Sequence, residues 1–353
     1  MFSNRTSISR PGTLDHEISL ATDATDTILS LSWSPVANHL AAASWDGKVR
    51  IYDVDTSAKA ASGISMLSAT SPVFDCDWTK DGTMIAAGGA DNMVHILHLP
   101  TGQQVTLSSH DKPVRNVCFI DVPASHTHVL ASGSWDGTVK LWDLRQQTPL
   151  TTIVCRERVY SMDSKSFLLV VATADENIHL IDLNNPTVIS HTQGSPHKDQ
   201  TKAVAAFPNG MGWIMTTIGG QGSVNGIGEE KTATDAIFRG HREPKDRKTR
   251  ITDIFSINDV CIHPTEHRVF ATAGSDGAFI FWDRNASMRK LRVYPSAGVP
   301  LTASAFNHDG SFYAYARGYD WSRGHAGNNA GIETKLMLHA VTKADITLGL
   351  TRP

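Results

Sequence analysis

Short stretches in which apolar and polar residues alternate recur along the whole chain, and no long segment carries a helical period. The clearest of them occupy residues 28–33, 73–78, 114–119, 158–163, 202–207, 257–262 and 301–306. Alternation with a period of two indicates strands that bury one face, and runs of this length are typical of strands. Turn signals such as Ser34-Pro35 and Asp81-Gly82 follow most of these stretches. The pattern therefore predicts an all-β fold.

A second pattern repeats in phase with these strands. Two closely similar motifs, Ala-Ser-Trp-Asp-Gly-Lys-Val-Arg at 43–50 and Gly-Ser-Trp-Asp-Gly-Thr-Val-Lys at 133–140, lie 90 residues apart. Counting weaker copies, the turn recurs at positions 46, 91, 136, 175, 221, 276 and 320. A four-stranded propeller blade has a spacing of roughly 40–45 residues, and Asp-Gly supplies the left-handed backbone that a tight hairpin needs. One blade cannot bury both of its faces, so the pattern predicts a closed ring, a seven-bladed β-propeller.

The two ends of the chain supply a way to close this ring. The last unit offers only three good strands before residue 341, whereas residues 17–21 form a spare strand ahead of the first unit. We therefore predict that this N-terminal strand pairs with the last blade. The corresponding domain division is a disordered lead-in at 1–16, one propeller at 17–341 and a tail at 342–353.

Composition limits the class of protein further. The net charge of −3, from 32 Lys+Arg and 35 Asp+Glu, argues against a wholly basic nucleic-acid coat. No apolar stretch is long enough to predict a membrane span, and the polar N-terminus lacks the apolar core of a signal peptide, although a transit peptide is harder to exclude. The four cysteines lie far apart without a Cys-x-x-Cys pair, which favours reduced thiols in the cytosol or nucleus.

Catalytic and metal-binding motifs are absent from the sequence. It contains no phosphate loop and no nucleophile elbow, and the histidine pairs at 95/98 and 126/128 lack further ligands at metal spacing. The recurring aspartates occupy the same turn of each unit, which favours a structural hydrogen-bonding role over catalysis. We expect a protein that is not an enzyme and needs no cofactor or metal.

The repeats resemble those of the WD-repeat family. The marks are Trp142-Asp143 and Trp282-Asp283 at strand ends, together with Ser109-His110 and Gly240-His241 ahead of blades. The resemblance covers about residues 17–341. It implies the propeller fold and leaves the function open, because WD propellers mostly serve as binding platforms.

Four stretches are similar to the messenger-RNA export factor subfamily, whose members bind the GLEBS segment of a nucleoporin. They are residues 132–143, 156–160 with 170–174, 238–242, and 306–310 with 319–325. The last contains Asp-Trp-Ser-Arg-Gly-His at 320–325, an insertion that ordinary WD repeats lack. The resemblance implies a nuclear-pore adaptor in messenger-RNA export, located in the nucleus and at the nuclear envelope with cytoplasmic shuttling. It would be a monomeric propeller in a heteromeric complex.

A sister family provides the alternative function. The mitotic-checkpoint WD adaptor also binds GLEBS-like segments and shares the Ser44-Trp45-Asp46 pattern, but it does not usually carry the insertion. Both families usually place an arginine where this chain has Ser223, and that arginine helps to hold acidic residues of the bound segment. Either Arg242 or Arg250 replaces it here, or the partner sequence differs.

The first group of candidate site residues is aromatic. Trp45 and Trp135 stand in polar turns, where periodicity does not predict a core position, and exposed aromatic residues often anchor peptides. The alternative is that each tryptophan packs on its neighbouring blade. The predicted partner site also includes Arg242 and, from the last insertion, Trp321 and Arg323. The insertion either becomes ordered on a partner or forms a packed plug.

The second group is basic. A run of cations lies between residues 239 and 250, and another cluster follows Trp282. The resemblance implies an aromatic-and-basic groove, which suits single-stranded RNA or an acidic protein segment. A solvated charged loop beside a structural tryptophan is the alternative. The predicted groove residues are Phe238, Arg239, Trp282, Arg284, Arg289 and Lys290.

Overall fold

The computed structural model describes residues 10–108, 110–123, 128–228, 235–246, 251–285, 288–328 and 331–347. In these residues the strands form seven antiparallel sheets arranged as the blades of a β-propeller, which confirms the predicted fold class. In five of the blades the strands follow chain order from the innermost strand outward, whereas the outermost strands of blades six and seven come from the N-terminal region. The innermost strands coincide with the predicted alternating stretches to within two residues at either end.

The first three blades follow a short N-terminal region with strands β1 (Arg10–Pro11) and β2 (Ile18–Leu20). Blade one contains β3 (Ile28–Trp33), β4 (His39–Ser44), β5 (Lys48–Asp55) and β6 (Ala60–Ser68). Blade two contains β7 (Val73–Trp78), β8 (Met84–Gly89), β9 (Met93–His98) and β10 (Gln103–Ser108). Blade three contains β11 (Val114–Ile120), β12 (Val129–Ser134), β13 (Thr138–Asp143) and β14 (Thr151–Val154).

The remaining blades carry the insertions. Blade four contains β15 (Val159–Lys165), β16 (Leu168–Thr173), β17 (Asn177–Asp182) and β18 (His191–Gly194). Blade five contains β19 (Thr201–Ala206), β20 (Gly212–Thr217), β21 (Gln221–Gly226) and β22 (Ala236–Arg239). A separate hairpin of β23 (Arg242–Asp246) and β24 (Ile251–Ile254) precedes blade six, which contains β25 (Ile257–Ile262), β26 (Val269–Gly274), β27 (Phe279–Asp283) and β28 (Arg289–Val293). Blade seven contains β29 (Leu301–Phe306), β30 (Phe312–Arg317) and β31 (Lys335–Ala340). The described helical segments are a 3₁₀ turn (His325–Gly327) and α1 (Lys343–Ile346), and neither is long enough to cross a membrane.

The N-terminal strand closes the ring as predicted. Strand β2 pairs antiparallel with β31 as the fourth strand of blade seven, with Leu20 opposite Leu336. Leu20 is 3% exposed and packs with Ile28 of blade one, so it joins the first blade to the last. Pairing the two ends of the chain covers the edge of β31 and holds the first and last blades together.

Described structure extends beyond the boundaries 17 and 341 at both ends. Strand β1 pairs in parallel with β28 of blade six, and Gly12 lies so close to the Tyr294 ring that a Cβ atom would come within 2.4 Å of it. Helix α1 buries Asp345 against the same blade. Residues 10–14 and 342–347 therefore pack on the propeller.

Carboxylates in the central channel connect successive blades. The second residue of every innermost strand forms a bulge, and backbone N–H groups beyond it face the preceding blade. These groups lack a strand partner, so aspartate side chains accept their hydrogen bonds. The pairs are Val117 to Asp75 (3.0 Å), Phe119 to Asp77 (2.8 Å), Ala206 to Asp163 (2.7 Å) and Ser304 to Asp259 (2.6 Å). The channel has a volume of about 1040 Å³, and burial raises the pKa of Asp77 and of Asp259 to about 6.

Candidate partner-binding face

The turns between the second and third strands of the blades emerge on the same side of the ring as the segments that join successive blades. This side is called the top face below. Glycine with positive φ makes the turns tight, as at Gly47 (φ 81°) and Gly137 (φ 82°), where other residues would be strained. Backbone bonds from Trp45 N–H to the Thr27 carbonyl (2.9 Å) and from Trp135 N–H to the Pro113 carbonyl (3.0 Å) fix the start of two of these turns.

A row of aromatic rings crosses the top face from blade seven to blade three. Trp321 stacks on Trp45 with ring centroids 4.6 Å apart, and Phe74 stacks on Trp135 at 5.6 Å. Trp45 and Phe74 lie 6.0 Å apart, and Tyr319 lies 5.6 Å from Trp321. These five residues are called the aromatic row. The three tryptophans of the predicted partner site are thus brought together, and each packs on a neighbouring blade while remaining half-buried.

The tryptophans of the row share an unsatisfied polar group. The indole N–H groups of Trp45, Trp135 and Trp321 are buried and have no hydrogen-bond acceptor among the described residues. Leaving a buried donor unpaired costs about 1–3 kcal/mol, and such groups are rare in folded proteins. Three of these groups lie in one row on the top face.

The insertion in blade seven is ordered by contacts within the propeller. Tyr319 is 6% exposed and its hydroxyl donates to the Gly324 carbonyl at 2.6 Å, while Asp320 accepts hydrogen bonds from Ser275 and from Asn258. Trp321 has a positive φ of 60°, and Arg323 is exposed. The first part of the insertion is therefore packed, and it presents Trp321 and Arg323 to the solvent side.

Two cations at the channel mouth were missed from the sequence. Arg115 and Lys202 occupy the second, bulged position of β11 and β19, and both line the channel. Arg115 donates to the Phe74 carbonyl at 3.5 Å, and the channel aspartates balance its charge only through space. Burial lowers the pKa of Lys202, and the neighbouring Arg115 lowers it further. The recurring second position of the alternating stretches is the sequence signal that points to both.

Blade five departs from the other blades at its top turn. The turn lies at Gly219-Gly220, two residues before the predicted position 221, and a Cβ atom on Gly219 would lie only 1.9 Å from a carboxylate oxygen of Asp199. Asp199, which comes from the preceding loop, thus fills the space of the missing turn aspartate. Arg242 donates to the Gly219 carbonyl at 3.1 Å, and its Nε–H is buried without a partner among the described residues.

Ser223 is buried in strand β21. It is 2% exposed, and its hydroxyl accepts a hydrogen bond from Asn225 at 3.1 Å. The Ser223 side chain therefore ends inside blade five, whereas the Arg242 guanidinium reaches the top turn of that blade. Arg250 lies outside the described residues.

Two residues of the predicted groove belong to the core. Phe238 and Trp282 are 3% and 2% exposed, and their ring centroids are 5.0 Å apart between blades five and six. The Trp282 indole donates to Thr272 (2.9 Å), which bonds His241 (2.9 Å), and His241 in turn bonds Asp276 (2.8 Å). Blade three repeats this network with Trp142, Ser132, His110 and Asp136. The groove prediction is therefore wrong for Phe238 and Trp282, because a buried structural network holds both rings.

The basic residues of that group do not form one cluster. Arg239 is exposed opposite Gln221, at the top end of blade five. Arg284 and Arg289 lie at the other end of blade six. There Arg289 is opposite Asp283 in the register of β27 and β28, and the Arg284 guanidinium lies 4.0 Å from the centre of the Phe207 ring. One strand length, about 15–20 Å, separates the two positions. Lys290 lies beside the Trp282 ring at 5.2 Å, and burial lowers its pKa.

The seven blades define a WD-repeat propeller. A family model described as WD domain, G-beta repeat matches residues 16–53, 64–97 and 102–143. The chain is 40% identical over 335 residues to the poly(A)+ RNA export protein of Schizosaccharomyces pombe, covering 95% of this chain and 93% of that protein. It is 38% identical over 340 residues to the mRNA export factor GLE2 of Chaetomium thermophilum, with 95% and 93% coverage. The WD40 repeat protein poxJ of Penicillium oxalicum is 41% identical over 339 residues, with 96% and 97% coverage. The chain belongs to the WD-repeat mRNA export factor family.

Proposed function

We propose that this protein is a non-enzymatic adaptor of messenger-RNA export and that a nucleoporin GLEBS-type segment binds across its top face. The observation that carries the proposal is the aromatic row with its three unpaired indole N–H groups. An extended peptide offers backbone carbonyls as acceptors, and its apolar side chains would cover the ring faces. Arg323 lies at the blade-seven end of the same row.

Acidic residues of the segment would meet cations from two places. Arg115 and Lys202 line the channel, Arg115 next to Phe74, and Arg242 contacts the turn of blade five. These side chains would supply the positive charge that the family usually takes from the position of Ser223. Charge complementarity of this kind mainly determines which segments are accepted and how fast they associate.

The names of the relatives support a place at the nuclear pore. The relatives from S. pombe and C. thermophilum are named a poly(A)+ RNA export protein and an mRNA export factor, which favours the export role over the mitotic-checkpoint alternative. We accordingly place the protein in the nucleus and at the nuclear envelope, with cytoplasmic shuttling. There it would act as a monomeric propeller within a heteromeric complex.

Affinity capture from cell extract tests the proposal, with wild-type protein and the Lys202→Glu variant compared side by side. We expect a nucleoporin to dominate the wild-type capture and to decrease about tenfold with the variant, because the reversed charge repels acidic residues. Lys80→Glu is the matched control, since Lys80 is 73% exposed and pairs with Asp121, away from the top-face turns. Capture of checkpoint kinases without a nucleoporin would contradict the export role.

Direct contact with single-stranded RNA is a subsidiary proposal, now restricted to cations because Phe238 and Trp282 are buried. Arg239 is separated from Arg284 and Arg289, so we propose two phosphate contacts on different parts of the rim. Charge reversal at one place should remove about one phosphate contact. The slope of the logarithm of the RNA-binding constant against the logarithm of the salt concentration should then change by about 0.7, and reversal at both places should change it by the sum of the two effects. A salt slope that no reversal changes would exclude this surface.

A further inference from the structure

A buried cluster of charged and phenolic groups joins both ends of the chain to blades six and seven. His339 of β31 is 8% exposed, and its Nδ1 atom lies 2.6 Å from the Glu17 carboxylate, one residue before β2. Its Nε2 atom lies 3.0 Å from the hydroxyl of Tyr294, the residue after β28. Asp345 of α1 accepts a hydrogen bond from that hydroxyl at 2.8 Å and another from Arg292 at 3.2 Å. These five residues are called the clasp.

The hydrogen bonds around His339 are all satisfied when its imidazole is doubly protonated. An ionised carboxylate only accepts, so Nδ1 then donates to Glu17. The Tyr294 hydroxyl donates to Asp345, so its oxygen accepts from Nε2. A neutral imidazole has one N–H and cannot make both donations.

The charges around His339 come from every element that packs on it. Glu17 approaches from the N-terminal strand and Asp345 from α1, whereas Arg292 from β28 balances Asp345. Tyr315 of β30 faces Glu17, which acts together with burial to raise the pKa of the Tyr315 phenol. Phe279 and Phe281 of β27 enclose the imidazole, with ring centroids 5.5 and 6.0 Å away. The Glu17 carboxylate is buried and faces the Tyr315 phenol and His339, so a neutral imidazole would remove the positive charge next to it.

We propose that the clasp attaches both chain ends to the propeller only while His339 is protonated. Protonated His339 holds the N-terminal strand and α1 on blades six and seven, and loss of the proton releases both together. The device is separate from the top face, so it regulates closure of the ring independently of the proposed function.

The expected pH range follows from the neighbours of His339. Burial by itself lowers the pKa of His339, but the hydrogen bonds to Asp345 and Glu17 outweigh it and raise the pKa above its ordinary value of 6.5. The folded protein then binds more protons than the unfolded chain between these two values. The stabilisation is fully present below pH 6.5 and is lost as the pH rises through the raised pKa of the folded state.

Hydrogen exchange of the full-length protein between pH 6 and pH 9, corrected for the intrinsic rate, tests the proposal. We expect protection of residues 13–22 and 341–347 to fall about tenfold or more with a shared midpoint, while blade three keeps its protection. His339→Gln should remove the pH dependence. His308→Gln, which replaces an exposed histidine of the same blade, should leave it unchanged.

Glu17→Gln keeps the test decisive if His339→Gln does not fold. The amide oxygen still accepts from Nδ1 but the negative charge is gone, so the midpoint should move to lower pH. A structural contact without a proton role would weaken protection equally at all pH values. Protection independent of pH in the wild type, or an unchanged midpoint in Glu17→Gln, would overturn the proposal.

Discussion

Removal of residues 1–22 is expected to lower the melting temperature by roughly 10 °C. The deletion takes away β2 and with it the fourth strand of blade seven, including Leu20 in the core shared with blade one. Burial of Leu20 and part of Ile18, the strand hydrogen bonds and the Glu17–His339 pair together account for about 5 kcal/mol of the free energy of unfolding. Differential scanning calorimetry measures the change directly.

The exposed edge gives this deletion a second consequence. Strand β31 would present unpaired backbone groups beside Leu336 and Leu338, so the truncated protein should also self-associate. A deletion of residues 1–9 is the matched control because it keeps every described contact of β2. If the longer deletion melts at the wild-type temperature, β2 does not fasten the ring.

Replacement of Trp135 by alanine is expected to weaken binding of a GLEBS-type peptide about 30- to 100-fold, a loss of about 2–3 kcal/mol. Trp135 ends the aromatic row and stacks on Phe74 alone within it, so its removal deletes a binding surface with little effect on the rest of the row. Titration calorimetry with the purified propeller measures the affinity, and thermal unfolding checks that the fold is retained.

Trp135→Phe separates the two parts of this contribution. Phenylalanine keeps a six-membered ring on Phe74 and removes the N–H group together with part of the indole surface, so we expect about a fivefold loss, or about 1 kcal/mol. Val154→Ala, on the rim of blade three with 64% exposure, is the control for a surface change away from the row. Equal affinities of wild type and Trp135→Ala would exclude the row as the binding site.

Local chemistry explains why the blades were predictable. Four of the blades combine alternating residues with an Asp-Gly or Asp-Asn turn within about 20 residues, so the signal lies in consecutive sequence and the weaker copies follow from its spacing. The aromatic row is different, because Trp45 meets Trp321 only after ring closure brings blade seven beside blade one. No spacing between residues in the sequence indicates that these two tryptophans meet.

The error at Trp282 had a recognisable cause. Both Trp142 and Trp282 stand before aspartate at the end of a third strand, after a histidine and a turn aspartate at similar distances. The common pattern identifies a hydrogen-bond network that both blades share. The tryptophan of that network is buried, so Trp282 is not a surface residue. Arg115 and Lys202 were not assigned to the channel for a related reason. Each occupies a bulge, and a bulge shifts the alternation by which residues are assigned to one face of a strand.

The turn of blade five shows that the same place in the ring can receive a carboxylate from a different part of the chain. Asp199 brings its oxygens there from 20 residues upstream, while the turn itself carries Gly219. A substitution of Asp199 is therefore expected to disturb blade five in the way that a substitution of Asp46 or Asp136 disturbs its own blade. An inventory of turn residues alone would pass over blade five, although its four strands are complete.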